Sequence, residues 1–426
     1  MKIIIIGAGE VGSFLCEILS RRSHDVTLIE RSESKTIRMD EEFDVKVIHG
    51  NGSSARTLIT AGVQKCDHFL AMTSDDETNI VSCSLAKILG AKNTFCRIHD
   101  QTFRDNSIIN YQSHFGINHL LSPERLASVE IAKRIRNPER VAVEDFSRGT
   151  IEVQLVEVQA GSKVVGKPLS ELKLNNQMRV GLIQRGEQIS VATAETILQP
   201  GGHVTIFGSP EKLFEAKSIF DPKSTTSTIQ RVVIFGGGET GVSLIRLLSN
   251  PRFKIRIIED DLERSRALAE KFPHITVIHG EGTSLRLFEE EQIGEADFFV
   301  ASTKDDENNI MTCLQASKLG TKHVILLSNR ADYLDVIERF HETLGIEMAV
   351  SPRVATANEI LRYLSDENFI ELATLPFNAG RILEVKVAEN SQCVGQTFRE
   401  ISWPKECVIV ALLHKFEART PGANDK

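Results

Sequence analysis

Two apolar patterns alternate along the chain. Short unbroken runs such as Ile3, Ile4, Ile5 and Ile6 stop at a glycine or an acid, and stretches with apolar residues three and four apart follow them, as at 11–22 and 79–89. Short apolar runs bounded by turn residues read as buried strands, and the 3.6-residue period reads as amphipathic helix. Strands are expected to end near Gly7, Glu30, His49, Thr73 and Arg97, with a sixth over 117–121. Strands alternating with helices predict an α/β fold with a parallel, doubly wound, Rossmann-like sheet. Ser122-Pro123 ends the sixth strand, and proline in a first turn opens a helix over 123–136 that leads out of the sheet domain.

From about Phe146 the pattern shortens to strand-like alternation, in IEVQLVEV, MRVGLIQRG and, after the turn at Pro200, Gly201 and Gly202, HVTIFG. This predicts a small α+β module. The polar stretch 221–230, with its run STTST, has the composition of a linker.

The whole pattern then repeats. GAGEVG at 7–12 is answered by GGGETG at 236–241, and LIE ending at Glu30 by IIE ending at Glu259. VIHGNG at 47–52 matches VIHGEG at 277–282, and TSDDETN at 73–79 matches TKDDENN at 303–309, so that Thr303 answers Thr73. The near-constant offset means duplication of a unit longer than one Rossmann-like domain. The expected organisation is a Rossmann-like domain over 1–145, a small module over 146–220, the linker 221–230, a second Rossmann-like domain over 231–372 and a second small module over 373–426. The second module is expected to be truncated, because the counterpart of the strand at 202–207 would begin past Lys426.

Composition narrows the function classes. At 426 residues the chain exceeds a single core, and 41% hydrophobic with 25% charged residues is ordinary for a folded protein. A net charge of −8 argues against nucleic acid, which would need clustered Lys and Arg. No apolar run reaches the roughly 18 residues of a membrane span, and Met1-Lys2 leads straight into a strand rather than a signal peptide. Seven cysteines, Cys16, Cys66, Cys83, Cys96, Cys313, Cys393 and Cys407, include no CxxC pair and suit a reducing cytoplasm. The expected location is cytoplasmic.

The chemistry concentrates at the strand ends. Gly7, Gly9 and Gly12 sit between a strand and a helix, where the first glycine allows a tight turn, the second lets a pyrophosphate approach the backbone, and the third permits close helix packing. Glu30, at the end of the second strand, would accept hydrogen bonds from ribose hydroxyls and disfavour a 2′-phosphate, which selects NAD(H) or an adenosine nucleotide over NADP(H). Thr73 and Ser74 lie just past the fourth strand, at the carboxyl edge where ligands collect. Asn51 either faces an adenine ring or caps the next helix. Arg97 could neutralise a phosphate or be an exposed strand-end cation. In the second half Gly236, Gly238, Gly241 and Glu259 repeat the motif, but Asp260, Glu281 and Leu327 make its crevice more acidic.

No HExxH, GxSxG or Walker lysine is present, and no metal site is expected. The runs Asp75-Asp76-Glu77 and Asp305-Asp306-Glu307 read as helix N-terminal charge. His49 and His279 read as sheet packing.

GAGEVG, the strand-end Glu30, HGNGSS, TSDDETN and the segment Val165, Gly166, Lys167, Pro168 and Leu169, all within a tandem duplication, resemble the TrkA family, the peripheral regulatory subunits of Trk potassium transporters, whose domains are called RCK or KTN domains. The resemblance covers nearly the whole chain. It implies a non-enzymatic, nucleotide-sensing subunit on the inner face of the membrane, binding NAD(H), ATP or ADP and assembling as a tetrameric ring under a membrane-embedded potassium-translocating subunit. Carried over by position, it adds Ala8, Glu10 and Val11 to the first site and Gly237, Glu239 and Thr240 to the second. Two other readings are an NAD-dependent oxidoreductase, for which few candidate acids or bases lie between the sheet domains, and the gating ring of a potassium channel.

Overall fold

The computed structural model describes the chain except residues 105–107, 137–142, 147–150, 173–177, 186–187, 221–228, 365–368, 375–380, 386, 389, 405–406, 415–416, 420, 422–424 and 426. Most of the expected linker therefore lies outside the described residues. The chain divides into two compact units. One comprises Met1–Ser128, Arg231–Arg246 and Ile255–Leu364, and the other Val129–Gln230, Leu247–Lys254 and Ser365–Lys426.

The first unit holds both Rossmann-like sheets. Strands β1 (Lys2–Ile6), β2 (Asp25–Glu30), β3 (Lys46–His49), β4 (His68–Ala71), β5 (Asn93–Arg97) and β6 (His119–Leu121) form a parallel sheet in the order β3-β2-β1-β4-β5-β6. Helices α1 (Glu10–Arg21), α2 (Glu33–Glu42), α3 (Ala55–Thr60), α4 (Asp76–Leu89), α5 (Tyr111–His114) and α6 (Pro123–Arg136) connect or follow these strands. Ile3 and Ile5 point into one core layer with Val11, Leu15 and Leu19, whereas Ile4 and Ile6 point into the other with Phe69, Ala71 and Ile80. The period-2 geometry of a strand divides the isoleucine run between two faces, which is why it is apolar throughout.

After the first small module the chain returns to repeat this layout. Strands β12 (Gln230–Phe235), β13 (Phe253–Glu259), β14 (Thr276–His279), β15 (Phe298–Ala301), β16 (His323–Leu327) and β17 (Met348–Val350) take the order β14-β13-β12-β15-β16-β17. The expected order of strands and helices is thus met in both halves.

The sequence pattern did not reveal an exchange of helices. The last helix of the second half, Pro352–Arg362, packs on α1 of the first half, with Ala357, Ile360 and Leu364 buried in the same core as Val11 and Leu15. Its following residue Tyr363 lies with ring centroids 4.2 Å from His119 and 5.7 Å from Phe95. Conversely, Ser128 on α6 reaches the carbonyl oxygen of Thr240 in the second half at 3.1 Å. Each half supplies part of the other's packing. Burying apolar side chains of this size is worth about 1.5–3 kcal/mol apiece relative to exposure, so the exchange joins the two sheet domains.

The second unit contains an antiparallel sheet of β7 (Val143–Phe146), β8 (Ile151–Glu157), β9 (Met178–Arg185), β10 (Gln188–Val191) and β11 (His203–Gly208), ordered β10-β9-β11-β8-β7. Helix α7 (Pro210–Phe220) adds Leu213, Ala216 and Phe220 to its core. The strand signals read from the sequence correspond to β8, β9 and β11; β7 and β10 carry little apolar pattern. Arg136 and Glu152 form a buried ion pair at 3.1 Å, and Gln154 donates to the same carboxylate. Further along, Phe369–Thr374 pairs antiparallel with Arg381–Val385, and Ile382 joins a small core with Ile151, Val153 and Phe207.

Five cysteines are buried, Cys393 is intermediate and Cys407 is exposed. Burial pushes the Cys16 and Cys66 thiols up to about 12 and raises Cys313 further, as expected of cysteines acting as small hydrophobes. No described helix is long and apolar enough to cross a membrane.

Candidate functional site

The glycines of the first turn have distinct steric jobs. Gly7 has φ +92°, a left-handed backbone, and a Cβ there would meet Thr73 Cγ2 at 2.9 Å. On Gly12 a Cβ would lie 1.9 Å from the Gly7 carbonyl oxygen, so glycine is what lets α1 start against the turn. Gly9 differs: it has φ −79° and ψ −172°, and nothing lies within 4 Å of an added Cβ. It is the N-cap of α1 and forms no side-chain cap, leaving the face of the first-turn amides open to an anion.

Glu30 ties the turn to the end of β2. Its carboxylate accepts from the Ala8 amide at 2.5 Å through one oxygen and from the Ser32 amide at 2.7 Å through the other. A carboxylate has about four lone-pair sites, so acceptor capacity remains for ribose hydroxyls. Thr73 stands beside Gly7, as the steric contact requires, and Ser74 is exposed on the same loop. Gly52 brings the end of β3 against Ile6, where a Cβ would meet Ile6 Cγ2 at 2.9 Å. Gly7, Gly9, Gly12, Glu30, Thr73 and the Asn51 turn therefore converge at the carboxyl edge of one sheet. Val11 points away, buried in the core, so only its backbone faces the turn.

Several residues stand otherwise than the sequence suggested. Asn51 neither caps α3 nor is free: its Oδ1 accepts from Ser53 N at 3.0 Å and Ser53 Oγ at 2.8 Å, and the helix N-cap is Ser54. Arg97 is not an exposed strand-end cation, because its side chain is only 14% exposed and lies 3.8 Å from Glu124. Burial draws the Arg97 guanidinium below its ordinary range, against the opposing charges of Glu124, Asp76 and Glu10. Burial also works to raise Glu124, but its hydrogen bond to His99 and the nearby Arg97 leave its carboxyl below the usual range. His49 and His279 are exposed rather than packed in the sheet, and they bond the carbonyls of Arg31 and Asp260.

The acidic runs divide their work. Asp75 and Asp305 cap α4 and its repeat, Asp306–Leu319, by accepting from Thr78 N and Asn308 N. Asp76, the next residue, is buried and accepts from the amides of His99 and Asp100, fixing the loop after β5. Asn79, fully buried, accepts from Thr73 N and Oγ1 and donates to the carbonyls of Thr73 and Arg97, clamping the fourth and fifth strand ends together. Asn309 repeats the clamp on Thr303 and Leu327. Sequence reasoning missed both asparagines, although their matched positions in TSDDETN and TKDDENN carried the signal.

The second turn keeps the geometry with a tighter fit. Gly236 has φ +104°, a Cβ on Gly241 would lie 2.1 Å from Gly236 O, and Gly238 again faces open space. Glu259 accepts from Gly237 N at 2.7 Å and Asp261 N at 3.0 Å, as Glu30 does in the first half. Here, however, it is only 2% exposed, and a Cβ on Gly237 would collide with Leu268 at 2.5 Å and Glu259 at 2.7 Å. Thr240 is buried, its carbonyl facing Ser128, while Glu239 is exposed. Among the described residues no cluster of His, Cys, Asp and Glu could hold a metal ion.

The TrkA-N domain matches residues 3–123 and again 232–352, and the TrkA-C domain matches 153–221. A Trk system potassium uptake protein TrkA homolog of Archaeoglobus fulgidus is 32% identical, with 99% of this chain and 93% of that protein covered. The Trk system potassium uptake protein TrkA of Haemophilus influenzae is 31% identical, covering 97% of this chain and 90% of its own length. Among solved structures, the GsuK channel bound to NAD superposes with a TM-score of 0.60 at 16% identity, covering 99% of this chain and 74% of that one, a likeness of fold. With both sheet domains and the first small module matched, and relatives above 30% identity over nearly their full length, the chain belongs to the TrkA family of Trk system potassium uptake proteins.

Proposed function

We propose that this chain is a non-catalytic sensor subunit that binds NAD(H) or an adenine nucleotide at its glycine turns and gates a membrane-embedded Trk potassium transporter. The observation that carries the reading is the first turn: Gly9 leaves the α1 amides uncovered while Glu30 stands beside them with acceptor capacity to spare. Phosphate at the amides and ribose at the carboxylate is the division of labour such a turn supports. The second turn, whose Glu259 is buried and already paired with Arg264 at 3.5 Å, is the weaker site on the same reading. The GsuK structures with NAD and with ADP are of a protein with this fold, which adds to the case for both ligand types.

Gating requires that the nucleotide bind two arrangements of the protein unequally, and a coupling of about 1–3 kcal/mol would suffice. The working assembly on this reading is a tetrameric ring on the cytoplasmic face, with two sheet domains per chain and the small modules at 146–220 and 373–426. Glu30→Ala should weaken NADH binding about tenfold or more, since it removes a charged acceptor worth roughly 1.5–3 kcal/mol. Calorimetry on the full chain checks this, and unchanged affinity would remove Glu30 from the site. Potassium uptake in cells lacking this gene, with and without a co-expressed Trk membrane subunit, tests the partner: uptake independent of that subunit would point instead to a channel.

A further inference from the structure

A cavity of about 1360 Å³ opens beside the first glycine turn, and its walls come from both halves of the chain. Ala8, Gly9 and Glu10 line one side, while Met348, Ala349 and Arg353 of the second half line the other. Arg353 belongs to the exchanged helix Pro352–Arg362 that packs on α1. Its Nη2 lies 3.1 Å from Glu10 Oε1; its side chain is 18% exposed, against 65% for Glu10, and its Nε is buried with no hydrogen-bond partner. Among the described residues this mostly buried guanidinium has one ion partner, an exposed carboxylate, with donor capacity left over.

The placement of this pair matters. Glu10 is the first residue of α1, where a carboxylate beside the amide face would repel a bound phosphate unless a cation offsets it. Arg353 supplies that cation, and it comes from the other half. A planar fork of donors can hold a phosphate through two nitrogens, whereas Arg353 meets Glu10 through Nη2 at 3.1 Å. At the second turn the equivalent residue, Glu239, is instead approached by the neutral Gln101, whose Nε2 lies 3.1 Å from Glu239 Oε2.

We propose that Arg353 is a phosphate-recognising residue of the first nucleotide site, donated by the second half and exchanged between Glu10 and the ligand's terminal phosphate. The inference rests on the nucleotide reading above. It makes the first site selective for more highly charged adenine nucleotides and ties its occupancy to the position of the second half. The second turn, lacking this cation, has no such selectivity.

Calorimetry with ATP, ADP and adenosine on the full chain tests this, in a Gly238→Asp background that confines binding to the first turn. Arg353→Gln should weaken ATP about tenfold, weaken ADP less, and leave adenosine unchanged, with Arg353→Lys recovering part of the loss. Glu10→Gln should tighten ATP while Arg353 is present and have no effect once it is replaced, the signature of a shared partner in a double-mutant cycle. If Arg353→Gln keeps the full preference for ATP over adenosine, or loses both ligands equally, Arg353 is not a phosphate ligand. If the parent chain binds none of the three, the nucleotide reading itself fails.

Discussion

Gly12→Ala is expected to destabilise the first half by about 3 kcal/mol and to abolish ligand binding there, because the new methyl has nowhere to go. It would sit 1.9 Å from the carbonyl oxygen of Gly7, a backbone atom rather than the end of a flexible side chain. Gly7 cannot yield, since its own φ of +92° places it against Thr73 and its amide is held by the Ile29 carbonyl at 2.9 Å. The accommodation left is for α1 to withdraw from β1. That movement separates Val11 and Leu15 from Ile3 and Ile5, and it strips the contact with the exchanged helix at Ala357 and Ile360. A urea titration followed by circular dichroism should show the lowered midpoint. An unchanged midpoint would mean the turn is looser than these distances state.

Gly9→Asp should do the reverse: leave folding intact and eliminate binding. At φ −79° and ψ −172° the position suits any residue, and nothing lies within 4 Å of an added Cβ. Aspartate is in fact a better N-cap than glycine by a few tenths of a kcal/mol, so the thermal midpoint should hold or rise slightly. The same carboxylate would cover the α1 amides and face a phosphate with a like charge. Affinity for NADH or ATP at the first turn should fall about a hundredfold or more. Retained affinity would show that the ligand does not approach these amides. The two variants together separate what the glycines do for the fold from what they do for a ligand.

Local chemistry makes much of this legible in the sequence. The isoleucine run, the glycine turn and the strand-end Glu30 each announce themselves within a few residues, because strand period, left-handed backbone and strand-end placement are short-range facts. The duplication then doubled every signal. What stayed hidden depended on contacts distant in sequence. Nothing around Pro352 tells that its helix packs on α1 of the other half, since an amphipathic helix shows which face is apolar but not what covers it. For Arg97 the sequence left open a phosphate partner or an exposed strand-end cation, and its burial beside Glu124, which His99 in turn bonds, depends on a helix that follows the next strand. Asn79 looked like one polar residue in a polar segment. Its role as a clamp appears only when the fourth and fifth strand ends are side by side.

The two halves also illustrate how one template can diverge in chemistry while keeping its shape. Both turns retain the same steric glycines and the same carboxylate bridge. They differ in what surrounds the bridge: Arg97 and Arg353 stand near the first, where the repeat places Leu327 and Glu124 in the other half, and at the second Gln101 donates to Glu239 while Arg264 lies 3.5 Å from Glu259. The backbone turn is shared, and what differs is the burial of the carboxylate and the charges around it, so a single ligand would be expected to fill the two sites unequally.

The most direct measurement is native mass spectrometry of the full chain, purified and then incubated with NADH or ATP. The account predicts a chain carrying at least one nucleotide, with the first-turn adduct lost in Gly9→Asp and kept in Gly238→Asp. A wild-type chain that stays bare at every concentration of both nucleotides would contradict it.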